Sequence, residues 1–260
     1  MMMEMDLSFN VLLAKDYKSK SQIARVLTEE WFARNMYCPI CGEASILQAN
    51  ANAPVKDFIC DHCKSQYELK SKKSESSKFS TSVNDGMYET MIQRITSLEN
   101  PSFFFMHYDS YKVNNLIIVP KCFFTPALID KRKPLSGHSR RAGWEGCSIR
   151  LGDVPQTAKI PIIIDGEIVD KQKVISTYNK VYSLQKNSIE GRGWVFDVLS
   201  CIEKLDNEFT LQEMYSFVHL LKQRHPDNNH VEDKIRQQLQ LLRDKGLIEF
   251  KKRGHYRKIK

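Results

Sequence analysis

The chain has 260 residues, 42% of them apolar, with a formal net charge of +8 and a sequence pI near 9.0. Its longest apolar runs, such as Ile160-Pro-Ile-Ile-Ile164, fall far below the ~20 residues of a membrane-spanning helix, so no membrane partner is expected. The basic balance suits a polyanionic partner, either nucleic acid or an acidic surface.

The stretch Met1–Lys20 lacks a basic start and a small-residue cleavage site, so no signal peptide is expected. Ser19 or Ser21 is placed to cap a helix running to Asn35, with Ile23, Leu27 and Trp31 as its buried stripe. Residues 45–53 read as a loop, followed by short strands Val55–Ile59 and Gln66–Lys70. Ser71–Ser82, rich in Ser and Lys, reads as a mobile loop, and Asn84-Asp85-Gly86 leads into a helix over Met87–Ser97. Phe103–Tyr108 and Leu116–Val119 are apolar throughout, which predicts strands in the middle of a sheet with Asn114-Asn115 in the connection. A basic segment spans residues 131–147, and a strand at Ile160–Ile164 precedes the turn Asp165-Gly166.

Around Gln185–Gly193 the chain turns polar and Gly-rich, which marks a domain boundary. The expected division is 1–186 and 194–260. In the second part Trp194, Val198, Ile202 and Leu205 fit one helix face. Thr210-x-x-Glu213 is a capping box stapled by Phe209 and opens a helix ending near Pro226. A third helix runs from His230 to Lys245 with Gly246 after it, and strands Leu247–Phe250 and His255–Ile259 follow. Three helices and a basic hairpin make a winged helix.

Two Cys-x-x-Cys pairs, Cys38/Cys41 and Cys60/Cys63, have the spacing of a tetrahedral four-cysteine zinc site. Four thiolates fill the coordination shell, so the metal would be structural; the alternative is redox dithiols or free thiols. His62 is expected to point outward. Cys122, Cys147 and Cys201 are scattered and read as reduced core residues of a cytoplasmic protein.

Strand alternation puts Glu68 and Lys70 on one face with Leu69 on the other. Asp57, on the preceding strand, can join them because the cysteine-bearing turn folds that strand back. Two carboxylates can hold Mg²⁺, while the lysine orients and helps deprotonate water or stabilises the phosphorane. Alone the pattern is weak, and the bland alternative is an exposed salt-bridged strand. Pro54 precedes it but is displaced by two residues from Asp57. Glu29 and Glu30 could add a carboxylate, or form a solvated helix face.

On the third helix of the second part, Lys234, Arg236, Gln237, Gln240 and Arg243 lie outside the buried stripe, with types suited to base edges. Lys251, Lys252, Arg253, Arg257 and Lys258 on the wing suit phosphates. Arg140 and Arg141 precede Trp144 in a basic loop, where the indole either wedges into a groove or is buried where the loop returns.

These residues together resemble the DpnI-type, methyl-directed (type IIM) restriction endonucleases. The resemblance is carried by Ser21–Trp31, both cysteine pairs, Asp57, Glu68–Lys73, Asn84-Asp85-Gly86, Arg140–Trp144, Arg192-Gly193-Trp194 and Lys234–Leu239. It implies an α/β (α+β) nuclease core of the Pro-Asp…(Asp/Glu)-x-Lys type with an embedded zinc ribbon, joined to a C-terminal winged helix. It also implies Mg²⁺-dependent cleavage of double-stranded DNA at GATC carrying N6-methyladenine, both domains contacting the methylated site. Asp57, Glu68 and Lys70 match the catalytic positions, with Asp57 and Glu68 on the Mg²⁺, and Trp144 matches a tryptophan near DNA. The loop Lys73–Thr81 departs from the family pattern by a few extra residues. No obligate protein partner is evident. Two alternatives keep the same features: a non-enzymatic zinc-ribbon and winged-helix regulator, and a nuclease of this core acting on RNA or branched DNA.

Overall fold

The computed structural model describes residues 5–49, 56–97, 99–184 and 189–259. Pro54, Val55 and the polar run from Gln185 to Ser188 lie outside them. In chain order, helix α1 (Lys20–Asn35) precedes strands β1 (Leu47–Gln48), β2 (Phe58–Ile59) and β3 (Gln66–Lys73). Strand β4 (Val83–Met87) runs into helix α2 (Tyr88–Thr96), followed by strands β5 (Ser102–Asp109) and β6 (Lys112–Val119). Next come β7 (Ile129–Lys131), β8 (Gly146–Ile149), β9 (Ile160–Ile164), β10 (Glu167–Ile168) and helix α3 (Lys171–Tyr182). The remainder is α4 (Ile189–Glu203), β11 (Glu208–Thr210), α5 (Leu211–Tyr215), α6 (Val218–Arg224), α7 (Val231–Asp244), β12 (Ile248–Lys252) and β13 (His255–Lys258).

The central sheet has seven strands in the order β1-β2-β3-β5-β6-β9-β10, parallel only where β3 meets β5. The apolar runs of β5 and β6 occupy its middle as expected, because strands covered on both faces gain from uninterrupted hydrophobicity. Phe103, Phe104, Phe105 and Met106 are all buried. Helix α1 covers β2 and β5 through Phe32, whose ring centre lies 4.3 Å from Phe58 and 4.7 Å from Phe104. A second sheet, β4-β8-β7, stands beside the first. No helix among the described residues is long and apolar enough to cross a membrane.

Several sequence expectations change. Strand β3 continues through Ser71, Lys72 and Lys73, because its parallel pairing with β5 extends to Tyr108; only 74–82 remain irregular. Asn84-Asp85-Gly86, expected only to lead into the helix, is part of β4, held by antiparallel pairing to β8. Asn114 and Asn115 sit inside β6; the turn is at Ser110 and Tyr111, both with positive φ (47° and 61°). Buried Asn115 stays in the strand because its side-chain oxygen accepts a 2.9 Å hydrogen bond from the Asp165 amide. The expected loop around residue 47 contains the short edge strand β1.

The C-terminal part is a winged helix with a third strand, β11, paired to β13. The Thr210–Glu213 capping box forms with both reciprocal bonds. The helix it opens breaks at Ser216–Phe217 into α5 and α6 rather than running on to Pro226. Gly191 and Gly193, read as part of the boundary, fall within α4. That helix is apolar on more than one side because it packs both ways. Phe196 stacks on Phe123 at 4.0 Å, and Glu203 accepts bonds from the Gln156 and Thr157 amides, each 2.8 Å.

Candidate active site and metal centre

The two cysteine pairs fold into matching knuckles. In the first, Gly42 donates to the Cys38 carbonyl (2.9 Å) and Cys38 donates to Glu43 (2.8 Å); in the second, Lys64 donates to Cys60 (2.9 Å) and Cys60 to Ser65 (2.9 Å). Each needs a left-handed residue after its second cysteine, filled by Gly42 (φ 78°) and Lys64 (φ 58°). The four Sγ atoms all lie within 4.8 Å of one another. Cys38 and Cys63 are 3.5 Å apart, and Cys41 and Cys60 3.7 Å. Tetrahedral zinc with ~2.3 Å bonds to sulfur needs sulfur–sulfur edges of about 3.8 Å, so this group could hold zinc. The Tyr67 hydroxyl lies 3.0 Å from Cys38 Sγ and can donate to a thiolate there. Burial pushes Cys63 up, but the Ser65 hydroxyl and amide outweigh it and bring the thiol down to about 7. His62 is exposed, and Cys122, Cys147 and Cys201 are buried and form no disulfide.

The second knuckle is also the turn of the β2–β3 hairpin, with Phe58 opposite Tyr67 and Ile59 opposite Gln66. Asp57 sits one residue before β2, its amide bonded to the Tyr67 carbonyl at 3.0 Å. Its Oδ2 accepts a 2.8 Å bond from the Leu69 amide, and Lys70 Nζ lies 2.7 Å from Glu68 Oε1. The structure therefore brings Asp57, Glu68 and Lys70 together. They are not the exposed salt-bridged strand of the bland alternative, because Glu68 is 7% exposed.

A further acid joins them. Asp85, from β4, places Oδ1 2.5 Å from the Lys70 ammonium. The sequence showed Asp85 only as part of the lead into α2, and no spacing ties it to Lys70; the β4–β8 pairing delivers it. Burial pushes Glu68 up to about 7, against the Lys70 ammonium and with the aid of the Asp57 charge. Burial also raises Asp57, opposed by the Leu69 amide and Lys70. For Lys70, burial pulls down, but Glu68 and Asp85 outweigh it and hold it above the ordinary lysine value as an ammonium.

These donors fit a hard divalent cation. Glu68 Oε2 is buried without a hydrogen-bond partner, and a buried carboxylate oxygen demands one. Glu68 and Asp85 contact the Lys70 ammonium and the Asp57 charge acts on the same group, so three acids stand against Lys70 and the Arg25 guanidinium, an excess of negative charge that a cation would offset. The oxygens are less tightly gathered than the thiols: among the described residues, only the cysteines form a group of three or more ligands within 4.8 Å. Mg²⁺ suits that looser set, since it takes one or two protein carboxylates and keeps waters for the rest. Glu29 and Glu30 are engaged elsewhere, Glu29 with Arg25 (2.7 Å) and Gln48 (2.7 Å), Glu30 with Arg34 (3.0 Å). A cavity of about 380 Å³ opens beside Lys70, lined by Lys72, Ser80, Asn84 and His107. A larger one, about 520 Å³, lies between α4 and the first part and shares none of these residues.

The basic segment of 131–147 is the loop of the β7–β8 hairpin. Arg140 and Arg141 are exposed on it, and Trp144 is half-buried. The indole folds back over Gly146, where an added Cβ would come within 2.8 Å of its ring; a larger residue there would displace it. In the winged helix, Arg236, Gln237, Gln240 and Arg243 are exposed on α7 and Lys234 is half-buried. Arg236 bonds Tyr215 and Asp233, and Arg243 bonds Asp244 at 2.9 Å. On the wing Lys251, Lys252 and Arg253 are exposed, and Glu249 pairs with both Lys251 (3.5 Å) and Arg257. Lys258 differs from its expected phosphate role: its ammonium donates to the Leu205 carbonyl at 2.6 Å and to the Glu203 carbonyl at the end of α4 at 3.4 Å, which ties the wing to that helix.

Two family models match the chain. That of DpnI, the Dam-replacing family, covers residues 5–187, and that of the Dam-replacing HTH domain covers residues 190–258.

Proposed function

Because the chain belongs to the DpnI Dam-replacing family and carries that family's helix-turn-helix domain, we propose that it is a restriction endonuclease that cleaves double-stranded DNA at GATC sites carrying N6-methyladenine. The observation that carries the reading is the meeting of Asp57, Glu68 and Lys70 on one cysteine-pinned hairpin. Asp57 and Glu68 would hold Mg²⁺. When bound, the ion supplies Lewis acidity and lowers the pKa of water.

The protein's own groups do the rest. Lys70, its ammonium held between Glu68 and Asp85, is placed to neutralise charge building on the phosphorus. Water attacks phosphorus and releases a proton to solvent, the bond to the 3′-oxygen breaks, and that oxygen takes a proton from solvent, so a 5′-phosphate and 3′-hydroxyl result. The exposed Arg140 and Arg141 give the β7–β8 loop the charge to follow a phosphate backbone. Trp144 offers a flat apolar surface to a base. A methyl group contributes only about 1 kcal/mol on burial, so reading of the same mark by both parts of the chain would multiply small preferences.

Plasmid from adenine-methylating and non-methylating hosts, incubated with protein and Mg²⁺, tests the reading. Cleavage of the methylated plasmid alone, at GATC, is expected. No cleavage of either would favour a non-enzymatic regulator, and cleavage of RNA or junctions instead would move the substrate class.

The wing makes a separate prediction. Lys252 and Arg253 are exposed. Replacing both with Ala should weaken duplex binding alike on all sequences and reduce the salt dependence of log K by about two, one for each phosphate left unneutralised. An unchanged slope in a fluorescence-anisotropy titration would remove the wing from the interface.

A further inference from the structure

Lys70 is shared between two acids from different sheets. Its ammonium lies 2.7 Å from Glu68 Oε1 on its own strand and 2.5 Å from Asp85 Oδ1 on β4. Both acids have only 9% of the side chain exposed, and each keeps one buried oxygen without a partner. Glu68 is therefore wanted twice, by the ammonium and by a divalent cation. The geometry points to Asp85 as the positioning residue for Lys70: it holds the ammonium so that Glu68 is free to turn to the cation. This rests on the nuclease reading above.

The physical reason is the cost of an unpaired buried charge. When a partner leaves a buried ion pair, the remaining charge loses its compensation. If Glu68 were the sole partner of Lys70, cation binding would strip the lysine. With Asp85 present, the lysine stays paired while Glu68 changes partner. The backbone supports this pairing. The β4–β8 ladder places Asp85 opposite Cys147 and becomes irregular immediately afterwards, before Met87 pairs with Gly146. The Gly86 amide donates to Asp85 Oδ1 at 2.6 Å, which orients the carboxylate from the adjacent residue. Asp85 reaches Glu68 by hydrogen bonds that run through Lys70.

The test measures Mn²⁺ binding to the full, zinc-loaded chain by electron paramagnetic resonance, alongside cleavage. In Asp85→Asn, Lys70 pairs with Glu68 alone and competes with the ion. Mn²⁺ affinity should fall about tenfold, in the range seen when the groups that orient metal ligands are removed. Cleavage should lose kcat with KM for DNA unchanged. Adding Lys70→Met to that variant removes the competitor, so Mn²⁺ affinity returns to the wild-type value while cleavage stays absent. Asp85→Glu should restore part of kcat. Zinc content and far-UV circular dichroism establish that each variant is folded.

Unchanged Mn²⁺ affinity in Asp85→Asn overturns the inference. So does failure of Lys70→Met to restore binding, which would make Asp85 a direct ligand. If the wild-type chain neither cleaves nor shows Mn²⁺ binding that Asp57→Asn removes, the nuclease reading fails and takes this inference with it. If Asp57→Asn removes binding and Asp85→Asn does not, only the role of Asp85 is lost.

Discussion

Asp57→Ala should lower cleavage about a thousandfold or more, the rate equivalent of several kcal/mol of charge stabilisation at the phosphorus. Affinity for methylated duplex should stay nearly intact, because Arg and Lys bound to phosphates carry most of it. The variant also has a structural cost. Asp57 Oδ2 accepts the Leu69 amide, and leaving that half-buried N–H unpaired costs about 1–3 kcal/mol. Asp57→Asn separates the two effects, since its amide oxygen can still accept from Leu69 while its neutral charge cannot compensate a cation. The expected pattern is no cleavage in either variant, a lowered melting temperature in the alanine variant and a near-normal one in the asparagine variant. Cleavage at the wild-type rate in Asp57→Asn would remove Asp57 from the chemistry. Single-turnover kinetics with a thermal melt read both quantities.

Loss of one zinc ligand should be as damaging through a different route. Structural zinc contributes about 10–16 kcal/mol in small zinc-dependent folds. Here the chain has a large apolar core of its own, so the loss should be local. Strand β3 is held by its parallel pairing with β5, while β2 meets β3 over only two residue pairs. Without zinc, β2 and Asp57 should detach from a β3 that stays in place. Cys60→Ala should therefore bind no zinc, keep most of its secondary structure, and lose cleavage although Asp57, Glu68 and Lys70 are all present. Metal analysis, circular dichroism and cleavage on one preparation check this. Full cleavage by a zinc-free variant would break the link between the cysteines and the site.

Much of this site was legible in the sequence because its logic is local. Cys60 to Lys70 is one hairpin, and period-two alternation alone puts Glu68 and Lys70 on one face. The apolar runs of β5 and β6 were equally plain, since only a strand covered on both faces accepts Phe103-Phe104-Phe105-Met106. Asp85 was not legible. Its place beside Lys70 arises from a ladder with β8, about sixty residues further along, and on local chemistry Asn-Asp-Gly reads only as the lead into a helix. Strand β3 was cut short for a related reason: Ser71, Lys72 and Lys73 are polar, and the pairing partner at Met106–Tyr108 that keeps them extended is remote in sequence. The break between α5 and α6 had no Gly or Pro to announce it. Lys258 looked like a phosphate ligand because a lysine's charge is visible in sequence, whereas the Leu205 carbonyl that binds it is not.

The most direct measurement of the central claim is anomalous scattering from a crystal of the chain with methylated GATC duplex, grown with Mn²⁺ in place of Mg²⁺. Zinc should appear among Cys38, Cys41, Cys60 and Cys63, and manganese between Asp57 and Glu68 with the scissile phosphate beside Lys70. Manganese bound elsewhere, with Asp57 and Glu68 carrying no ion and the phosphate remote from Lys70, would contradict it.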